Sequence, residues 1–217
     1  MICLCIIMQT IFRKLTHKKL SEHELTGEIV DLGGGKNAEY ATFLRGNFKR
    51  FSVDINEACK PDYVADFEKP LPFETSRFDG AILINLLEHI YHAHQLIHET
   101  ARITKPGGTV IATVPFMMAI HPSPRDFYRF SDDALNKMFT EAGFTHVTIE
   151  PIGTGVFIAR HMLISRLITN AVQIITEYPT RFIATMLDKA WFAVAKILRK
   201  KYTPADYPLG YIVVAKK

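Results

Sequence analysis

Apolar residues fall in short runs that alternate with amphipathic stretches between residues 28 and 150. Short apolar runs bounded by Gly, Pro or Asp predict buried strands, whereas apolar positions three and four residues apart predict helices. The predicted strands are 28–32, 51–54, 63–65, 78–83, 109–114 and 145–150. The predicted helices are 37–45, 91–103 and a third that begins near Ser131 and ends at Gly143. This alternation is typical of an α/β fold with a parallel sheet.

The segment from about residue 156 to residue 201 breaks the alternation, because two helical stretches follow one another. The second stretch has apolar residues at steps of three and four, which predict one helical face: Ile183, Leu187, Ala190, Trp191, Val194 and Leu198. Basic residues flank this face: Lys196, Arg199, Lys200 and Lys201. Charged residues, among them Arg166 and Glu177, interrupt the apolar run, so this stretch is not a conventional membrane-spanning helix. Three interpretations stay open, namely core packing, a homodimer contact, and peripheral contact with a membrane or a lipid-linked substrate.

A last strand is predicted over residues 210–215. We therefore divide the chain into a lead-in, residues 1–27, and one domain, residues 28–217, with the helical insertion before its last strand. Residues 1–8 are apolar, but basic residues follow them rather than precede them, unlike in a secretory signal. The interpretations are a weakly packed end, a true start at Met8, and a shallow membrane anchor.

Composition narrows the class of protein. Apolar residues make up 48% of the 217 residues and charged residues 22%, which is enough for a full core and argues against bulk disorder. The formal net charge of +4 is too small to indicate nucleic-acid binding. The three cysteines, Cys3, Cys5 and Cys59, form no disulfide framework and no metal-type spacing. A reducing, cytoplasmic compartment is the expectation.

The turn Gly33-Gly34-Gly35 follows the first predicted strand and allows a ligand to approach the backbone closely. This turn can be read as the motif G-x-G-x-x-A, with Asp54 about 20 residues later, and that pattern is compatible with a dinucleotide-binding site. Asp31 beside the turn would repel a pyrophosphate, however, whereas S-adenosylmethionine carries an ammonium and a sulfonium instead. Asp66 and Phe67 also suit an adenine, since a carboxylate accepts from its amine and a ring stacks on it.

Six segments in order resemble the class I S-adenosylmethionine-dependent methyltransferases. They are VDLGGG at 30–35, SVDI at 52–55, ADF at 65–67, FDGAILINLLEHI at 78–90, ITKPGGTVIATVP at 103–115 and EAGF at 141–144. The resemblance covers roughly residues 28–151 and resumes at 208–215. It implies S-adenosylmethionine as cofactor and a doubly wound, seven-stranded Rossmann-like sheet whose last strand is antiparallel. The loop at 121–131 resembles, less specifically, a loop of methyltransferases encoded in surface-polysaccharide clusters.

The resemblance also implies cofactor-binding residues. Asp31, Gly33 and Gly35 would line the methionine end, and Asn85 would lie near the methionine or the sulfonium. Asp54 would bind the ribose, and the adenine would be held by Ile55, Asp66 and Phe67. Asn37 stands where the family usually has a third glycine, so the loop is expected to have an altered shape.

The acceptor side is predicted from two further groups of residues. Glu88 and His89 follow the fourth strand, and the loop 121–131 after the fifth strand is dense in polar and aromatic side chains. The candidate catalytic residues are His89, His121, Tyr128 and Arg129. The alternatives without a catalytic role are that His89 only begins a helix and that Arg125 and Arg129 only pair with nearby acids. No metal site is predicted, because no suitably spaced acid joins His92, His94 and His98.

The sequence thus favours a methyltransferase that acts on a small-molecule, glycan or lipid-linked acceptor. We expect no nucleic-acid partner, while peripheral membrane contact and a homodimer stay open. A non-catalytic binding module with the same fold is an alternative, because the third glycine is missing. A nicotinamide-dependent oxidoreductase is the other alternative, because G-x-G-x-x-A is admissible.

Overall fold

The computed structural model describes residues 10–165, 170–201 and 203–217. These residues contain a seven-stranded sheet with strand order β3-β2-β1-β4-β5-β7-β6. The strands are β1 (Glu24–Leu32), β2 (Arg45–Asp54), β3 (Tyr63–Val64), β4 (Phe78–Ile84), β5 (Thr104–Pro115), β6 (His146–Thr154) and β7 (Pro208–Lys216). Strands β1 to β5 pair in parallel, and β7 runs antiparallel between β5 and β6. The predicted α/β sheet with an antiparallel last strand is confirmed.

Five α-helices flank the sheet in the described part of the chain. They are α1 (Ile11–Leu20), α2 (Ala93–Ile103), α3 (Asp132–Glu141), α4 (Val156–Ser165) and α5 (Asn170–Ile197). The predicted ends of α3 are confirmed. The Ser131 hydroxyl accepts a hydrogen bond from the Ala134 N–H at 3.3 Å, and Gly143 adopts a φ of 98° just after the helix.

The alternation of side chains along each strand supplies a separate core to each face of the sheet. In β4, Ala81 and Leu83 belong to one core, and Ile82 and Ile84 belong to the other. The first core is covered by apolar residues of α2 and α3, and the second by α1, α4 and α5. Because both faces are covered, the strands read as continuous apolar runs, which is why the sequence revealed them.

The predicted helix 37–45 is wrong. The chain forms a short 3₁₀ turn, Glu39–Phe43, and β2 begins at Arg45, six residues before the predicted start of that strand. Tertiary contacts decide this segment, because the Tyr40 hydroxyl is drawn to Asp31 and the Phe43 ring stacks on His17 of α1 at 4.2 Å. The glycine turn therefore does not open an α-helix.

The segments outside the central pattern pack on the sheet. The lead-in contains α1, whose Phe12 and Leu20 are buried in the second core, while residues 1–8 lie outside the described residues. The insertion contains α4 and α5, and Arg166 also lies outside the described part. No helix among the described residues combines the length and the apolar character needed to cross a membrane.

Candidate functional site

A cavity of about 680 Å³ lies at the carboxyl ends of β1, β2 and β4, where open α/β sheets bind ligands. Its volume is in the range of small-molecule sites. Its walls come from the strand ends, from the turn after β3 and from the loop after β5. The lining residues are Gly33, Asp54, Ile55, Asp66, Phe67, Glu68, Asn85, Leu86, His89, Ile90, Tyr91, Ser123, Pro124, Arg125 and Phe127.

Gly33 begins the cavity wall directly after β1. Its N–H donates to the Val53 carbonyl at 2.8 Å, and its φ of +81° lies in the region that favours glycine. A Cβ at this position would come within 2.9 Å of Leu86 Cδ1. Glycine is therefore required both by the backbone and by the close packing of Leu86.

Asp31, which is expected at the methionine end, is absent from the cavity lining. The carboxylate is fully buried, lies 2.6 Å from Arg50 Nε, and accepts from the Tyr40 hydroxyl at 2.8 Å. Burial raises the pKa of Asp31 to about 6, against the opposing effect of Arg50. The argument that Asp31 would repel a pyrophosphate loses its basis, since the cation beside it offsets its charge.

Arg50 is a residue that sequence reasoning missed. Besides its ion pair with Asp31, its guanidinium donates to the carbonyls of Gly35, at 2.7 Å, and Lys36, at 3.1 Å. The glycine turn is thus held by a side chain of β2 instead of by a helix start. Gly35, also predicted as a cofactor residue, is absent from the cavity lining and packs against Cys59.

Asp54 and Ile55 lie at the end of β2, as the sequence predicted. Asp54 Oδ1 accepts from the Asn56 N–H at 2.8 Å, which fixes the turn that follows the strand. Ile55 is apolar yet 55% exposed, beside that carboxylate in the cavity wall. An exposed aliphatic side chain next to a carboxylate can meet the apolar face and the hydroxyls of a nucleoside.

The turn after β3 brings Asp66, Phe67 and Glu68 to the cavity. Asp66 accepts from the Glu68 N–H at 3.0 Å and pairs with Lys69 at 3.1 Å, and these contacts lower its pKa. Glu68, which sequence reasoning missed, accepts from the N–H groups of Tyr91, at 2.7 Å, and His92, at 3.0 Å. Glu68 thereby joins the β3 turn to the segment that precedes α2.

Asn85 follows β4 with a φ of 50°, a left-handed conformation that asparagine tolerates. Its N–H donates to the Thr113 carbonyl at 2.9 Å, and its side-chain oxygen accepts from the Thr113 hydroxyl at 3.1 Å. These bonds to β5 fix the Asn85 side chain at the cavity wall.

The predicted acceptor residues come together, although not all of them reach the cavity. His89 lines it, and its Nδ1 lies 2.6 Å from the Arg125 carbonyl. Tyr128 is absent from the lining and donates its hydroxyl to the Tyr91 carbonyl at 2.8 Å. Tyr128 therefore positions Tyr91, which does line the cavity.

His121 and Arg129 lie behind this wall. Arg129 binds Asp126 through both terminal nitrogens and holds the pKa of that carboxyl far below its usual range. The alternative that Arg129 pairs with a nearby acid therefore describes this contact, and Arg129 Nη2 also lies 3.3 Å from the Ala119 carbonyl. The facing Glu88 carboxylate raises the pKa of His121.

The signal for most missed lining residues was already in the sequence. Leu86, Ile90 and Tyr91 belong to or adjoin the segment 78–90, and Ser123, Pro124 and Phe127 belong to the polar and aromatic loop. Arg50 carried no local signal, because an arginine in a strand usually faces solvent.

The cavity fits S-adenosylmethionine by its chemistry. A carboxylate and an exposed aliphatic side chain at the end of β2 suit the ribose and the adenine, and Asn85 offers a fixed amide nearer the glycine turn. Gly33 lets the ligand approach the backbone without a Cβ in the way.

Comparisons with known proteins agree with this geometry. A family model described as a methyltransferase domain matches residues 7–149, more than half of the chain. A ubiquinone/menaquinone biosynthesis C-methyltransferase of Bartonella quintana is 26% identical over 174 residues, which are 63% of this chain and 66% of that protein.

Two solved structures show the same fold. One is an S-adenosylmethionine-dependent methyltransferase of Archaeoglobus fulgidus, with TM-score 0.59, 15% identity and 94% of each chain covered. The other is the phosphoethanolamine N-methyltransferase 2 of Haemonchus contortus in complex with S-adenosyl-L-methionine, with TM-score 0.57 and 17% identity. The match covers 92% of this chain and 50% of the Haemonchus contortus chain, so this chain spans about half the length of that protein. The predictions of fold, enzyme class and cofactor are thus confirmed at the level of the family: the chain belongs to the methyltransferase domain family and has the fold of the class I S-adenosylmethionine-dependent enzymes.

Proposed function

We propose that this chain transfers a methyl group from S-adenosylmethionine to a small, lipid-linked acceptor. The observation that carries the proposal is the cavity lined by Gly33, Asp54, Asp66 and Asn85, four polar or glycine positions at the ends of successive strands. S-adenosylmethionine, when bound, supplies a methyl group on a cationic sulfur. The nicotinamide-dependent alternative has no support in the family match.

In this proposal the strand ends bind the cofactor. The Asp54 carboxylate accepts from the ribose hydroxyls, Ile55 and Phe67 cover the adenine, and Asp66 accepts from its amine. Gly33 and Asn85 meet the methionine portion. Asp31 and Gly35 act indirectly, because Arg50 links the Asp31 carboxylate to the carbonyl of Gly35 and keeps the turn open.

The acceptor would enter from the loop side of the cavity, where His89, Tyr91, Arg125 and Phe127 form the wall. Alignment of the acceptor with the sulfur supplies much of the rate in a displacement of this kind. Tyr128 and Arg129 are positioning residues here, since they hold Tyr91 and the loop. The apolar rings exclude water, while His89 and His121 are the groups able to hold a proton.

The lipid-linked class of acceptor is supported by an exposed surface at the carboxyl-terminal part of α5, which we call the α5 apolar face: Ile183, Leu187, Trp191, Val194 and, just past the end of the helix, Leu198. All five side chains are at least 42% exposed. The basic residues Lys196, Lys200 and Lys201 lie beside them and are exposed as well. One relative of the chain is a ubiquinone/menaquinone biosynthesis C-methyltransferase.

Calorimetry with S-adenosylhomocysteine tests the cofactor site. We expect Asp54→Ala to weaken binding by about 1.5–3 kcal/mol, roughly 10- to 100-fold, because a charged acceptor of hydrogen bonds is lost. Asp66→Ala should weaken binding less, since the Asp66 carboxylate already accepts from the Glu68 N–H and pairs with Lys69.

Glu57→Ala is the matched control, because Glu57 is an exposed acid just past Asp54 that does not line the cavity. It should leave the affinity unchanged. Folded wild-type protein without affinity at millimolar ligand would refute the cofactor site. Binding without methyl transfer to any quinone, sterol or glycan lipid would favour the non-catalytic alternative.

A further inference from the structure

A buried carboxylate that has no hydrogen-bond partner among the described residues lies behind the cavity wall. Glu88 is 0% exposed, and neither of its carboxylate oxygens accepts a hydrogen bond from that part of the chain. Burying such a group without compensation costs several kcal/mol, so native structures pair it with a cation or a donor. The proposed methyl transfer gives Glu88 no role.

Two imidazoles face this carboxylate. Glu88 Oε1 lies 3.6 Å from His89 Nε2 and 3.7 Å from His121 Nε2. Both separations exceed hydrogen-bond length. The three ligand atoms all lie within 4.8 Å of one another. Two ligands of one tetrahedral metal with bonds of about 2.0–2.2 Å stand about 3.3–3.6 Å apart, so the two distances from Glu88 to the histidines need to close by at most a few tenths of an ångström.

The other nitrogen of each ring fixes the tautomer. His89 Nδ1 lies 2.6 Å from the Arg125 carbonyl, and His121 Nδ1 lies 3.1 Å from the Ala119 carbonyl. A carbonyl only accepts, so each Nδ1 carries a proton, and in the neutral ring, the form that binds a metal, Nε2 presents its lone pair toward Glu88. A backbone carbonyl that orients the second nitrogen is the usual arrangement around metal-binding histidines.

We propose that Glu88, His89 and His121 bind one divalent transition-metal ion, with Zn²⁺ the best fit to one carboxylate and two imidazoles. Three protein ligands leave a fourth position open, as in zinc sites that also bind a small ligand. His89 also lines the cavity, so the ion would lie at its wall. The nearby guanidinium of Arg129 lies on the Nδ1 side of His121 and is paired with Asp126.

The site would also join two segments of the chain. Glu88 and His89 belong to the 3₁₀ turn Leu87–His89, whereas His121 belongs to the loop after β5. A single backbone bond from the Phe127 N–H to the Glu88 carbonyl, at 2.8 Å, already ties them. A bound metal would therefore stabilise the loop against unfolding, independently of methyl transfer.

The experiment is a Co²⁺ titration of untagged, chelator-treated protein, followed by visible absorption and then by displacement with Zn²⁺. We expect one equivalent to produce the d–d bands of four-coordinate cobalt, and Zn²⁺ to remove them and raise the melting temperature. Glu88→Gln and His121→Ala should each weaken binding roughly 100-fold or more, since loss of even an orienting partner costs about 10- to 100-fold. Circular dichroism checks that each variant is folded.

His94→Ala is the matched control, because His94 and His98 form an exposed imidazole pair on α2 with ring centroids 4.7 Å apart. It should leave Co²⁺ binding unchanged. Two results would overturn the proposal. One is folded wild-type protein that binds neither ion at about 100 micromolar metal, and the other is metal binding that persists in both Glu88→Gln and His121→Ala. Calorimetry with S-adenosylhomocysteine on the same sample is separate, so loss of the cofactor site and loss of the metal site give different results.

Discussion

Arg50 and Asp31 show how one buried ion pair shapes the glycine turn. Asp31 lies at the end of β1 with its carboxylate fully buried, and Arg50 reaches it from β2 at 2.6 Å. The same guanidinium holds the carbonyls of Gly35 and Lys36. Asp31, two residues before Gly33, is therefore linked to the glycine turn through Arg50 and is absent from the cavity lining.

Asp31 should make stability depend on pH in an unusual direction. Folding raises the pKa of Asp31 from 3.8 to about 6, so the folded state keeps a proton that the unfolded chain releases between these values. Its contribution is fully present below pH 3.8 and is lost as the pH rises through about 6, by roughly 3 kcal/mol in total. The free energy of unfolding of wild type minus that of Asp31→Asn should therefore grow as the pH falls from neutral toward 3.8. Urea titrations at several pH values measure it.

Asp79→Asn is the control of opposite sign. The Glu28 N–H and Lys105 lower the pKa of Asp79, so its contribution is lost as the pH falls. The difference between wild type and Asp79→Asn should stay nearly constant from neutral pH down to about 3.8 and shrink below that value. A pH-independent difference for Asp31→Asn would contradict the assigned burial of the carboxyl.

At the scale of elements, α5 is attached to the domain through small and acidic residues. Its buried positions include Ala184, Asp188 and Ala195, while the bulky apolar residues between 179 and 197, where its side chains are described, are exposed. The Asp188 carboxylate accepts from the N–H groups of Phe157 and Ile158, at 3.0 and 2.9 Å, in the first turn of α4. It thereby caps α4 from another helix. A Cβ on Gly155, whose φ is +120°, would collide with that carboxylate.

Asp188→Ala should destabilise the domain by about 1–3 kcal/mol, because two buried N–H groups of α4 lose their acceptor. Chemical denaturation followed by circular dichroism measures the change. Lys189→Ala, at the exposed neighbouring position, is the control and should stay near wild type. Equal stability of Asp188→Ala and wild type would show that α4 and α5 do not depend on this contact.

At the scale of the whole molecule, the α5 apolar face and the cavity are separate surfaces of one domain. The interpretation of that face as core packing does not hold in the described structure, because Trp191 is 49% exposed. An apolar face with a basic rim suits an anionic bilayer surface, where each nearby Lys or Arg contributes about 1 kcal/mol. A homodimer contact is the other interpretation that the exposure allows.

Flotation with vesicles of anionic and neutral lipid tests the membrane contact. We expect salt-sensitive binding to anionic vesicles that weakens in the double variant Lys200→Glu/Lys201→Glu. Lys60→Glu/Lys137→Glu makes the same change in net charge at exposed sites away from α5 and should bind as wild type does. A chain that stays unbound at low salt, or that elutes as a stable dimer, favours the dimer contact instead.

By itself, the sequence determined most of the sheet, because apolar runs and turn residues act locally. It located six strands, the capped helix α3 and a last strand, whose antiparallel direction the family resemblance implied. It also placed Gly33, Asp54, Asp66 and Asn85 at strand ends that meet in one cavity. Their shared position follows from the parallel direction of these strands, since the carboxyl ends of parallel strands lie at one edge of a sheet.

Some features depend on packing between residues that are distant in the sequence, and only the tertiary structure decided these. Tyr40 and Phe43 found partners in Asp31 and His17, so a segment with helical pattern became a 3₁₀ turn. Glu88 and His121 belong to different loops, and no spacing rule relates them until the fold brings them within 3.7 Å. Side-chain pairs of this kind depend on three-dimensional distance, which a local pattern of apolar and polar residues does not encode.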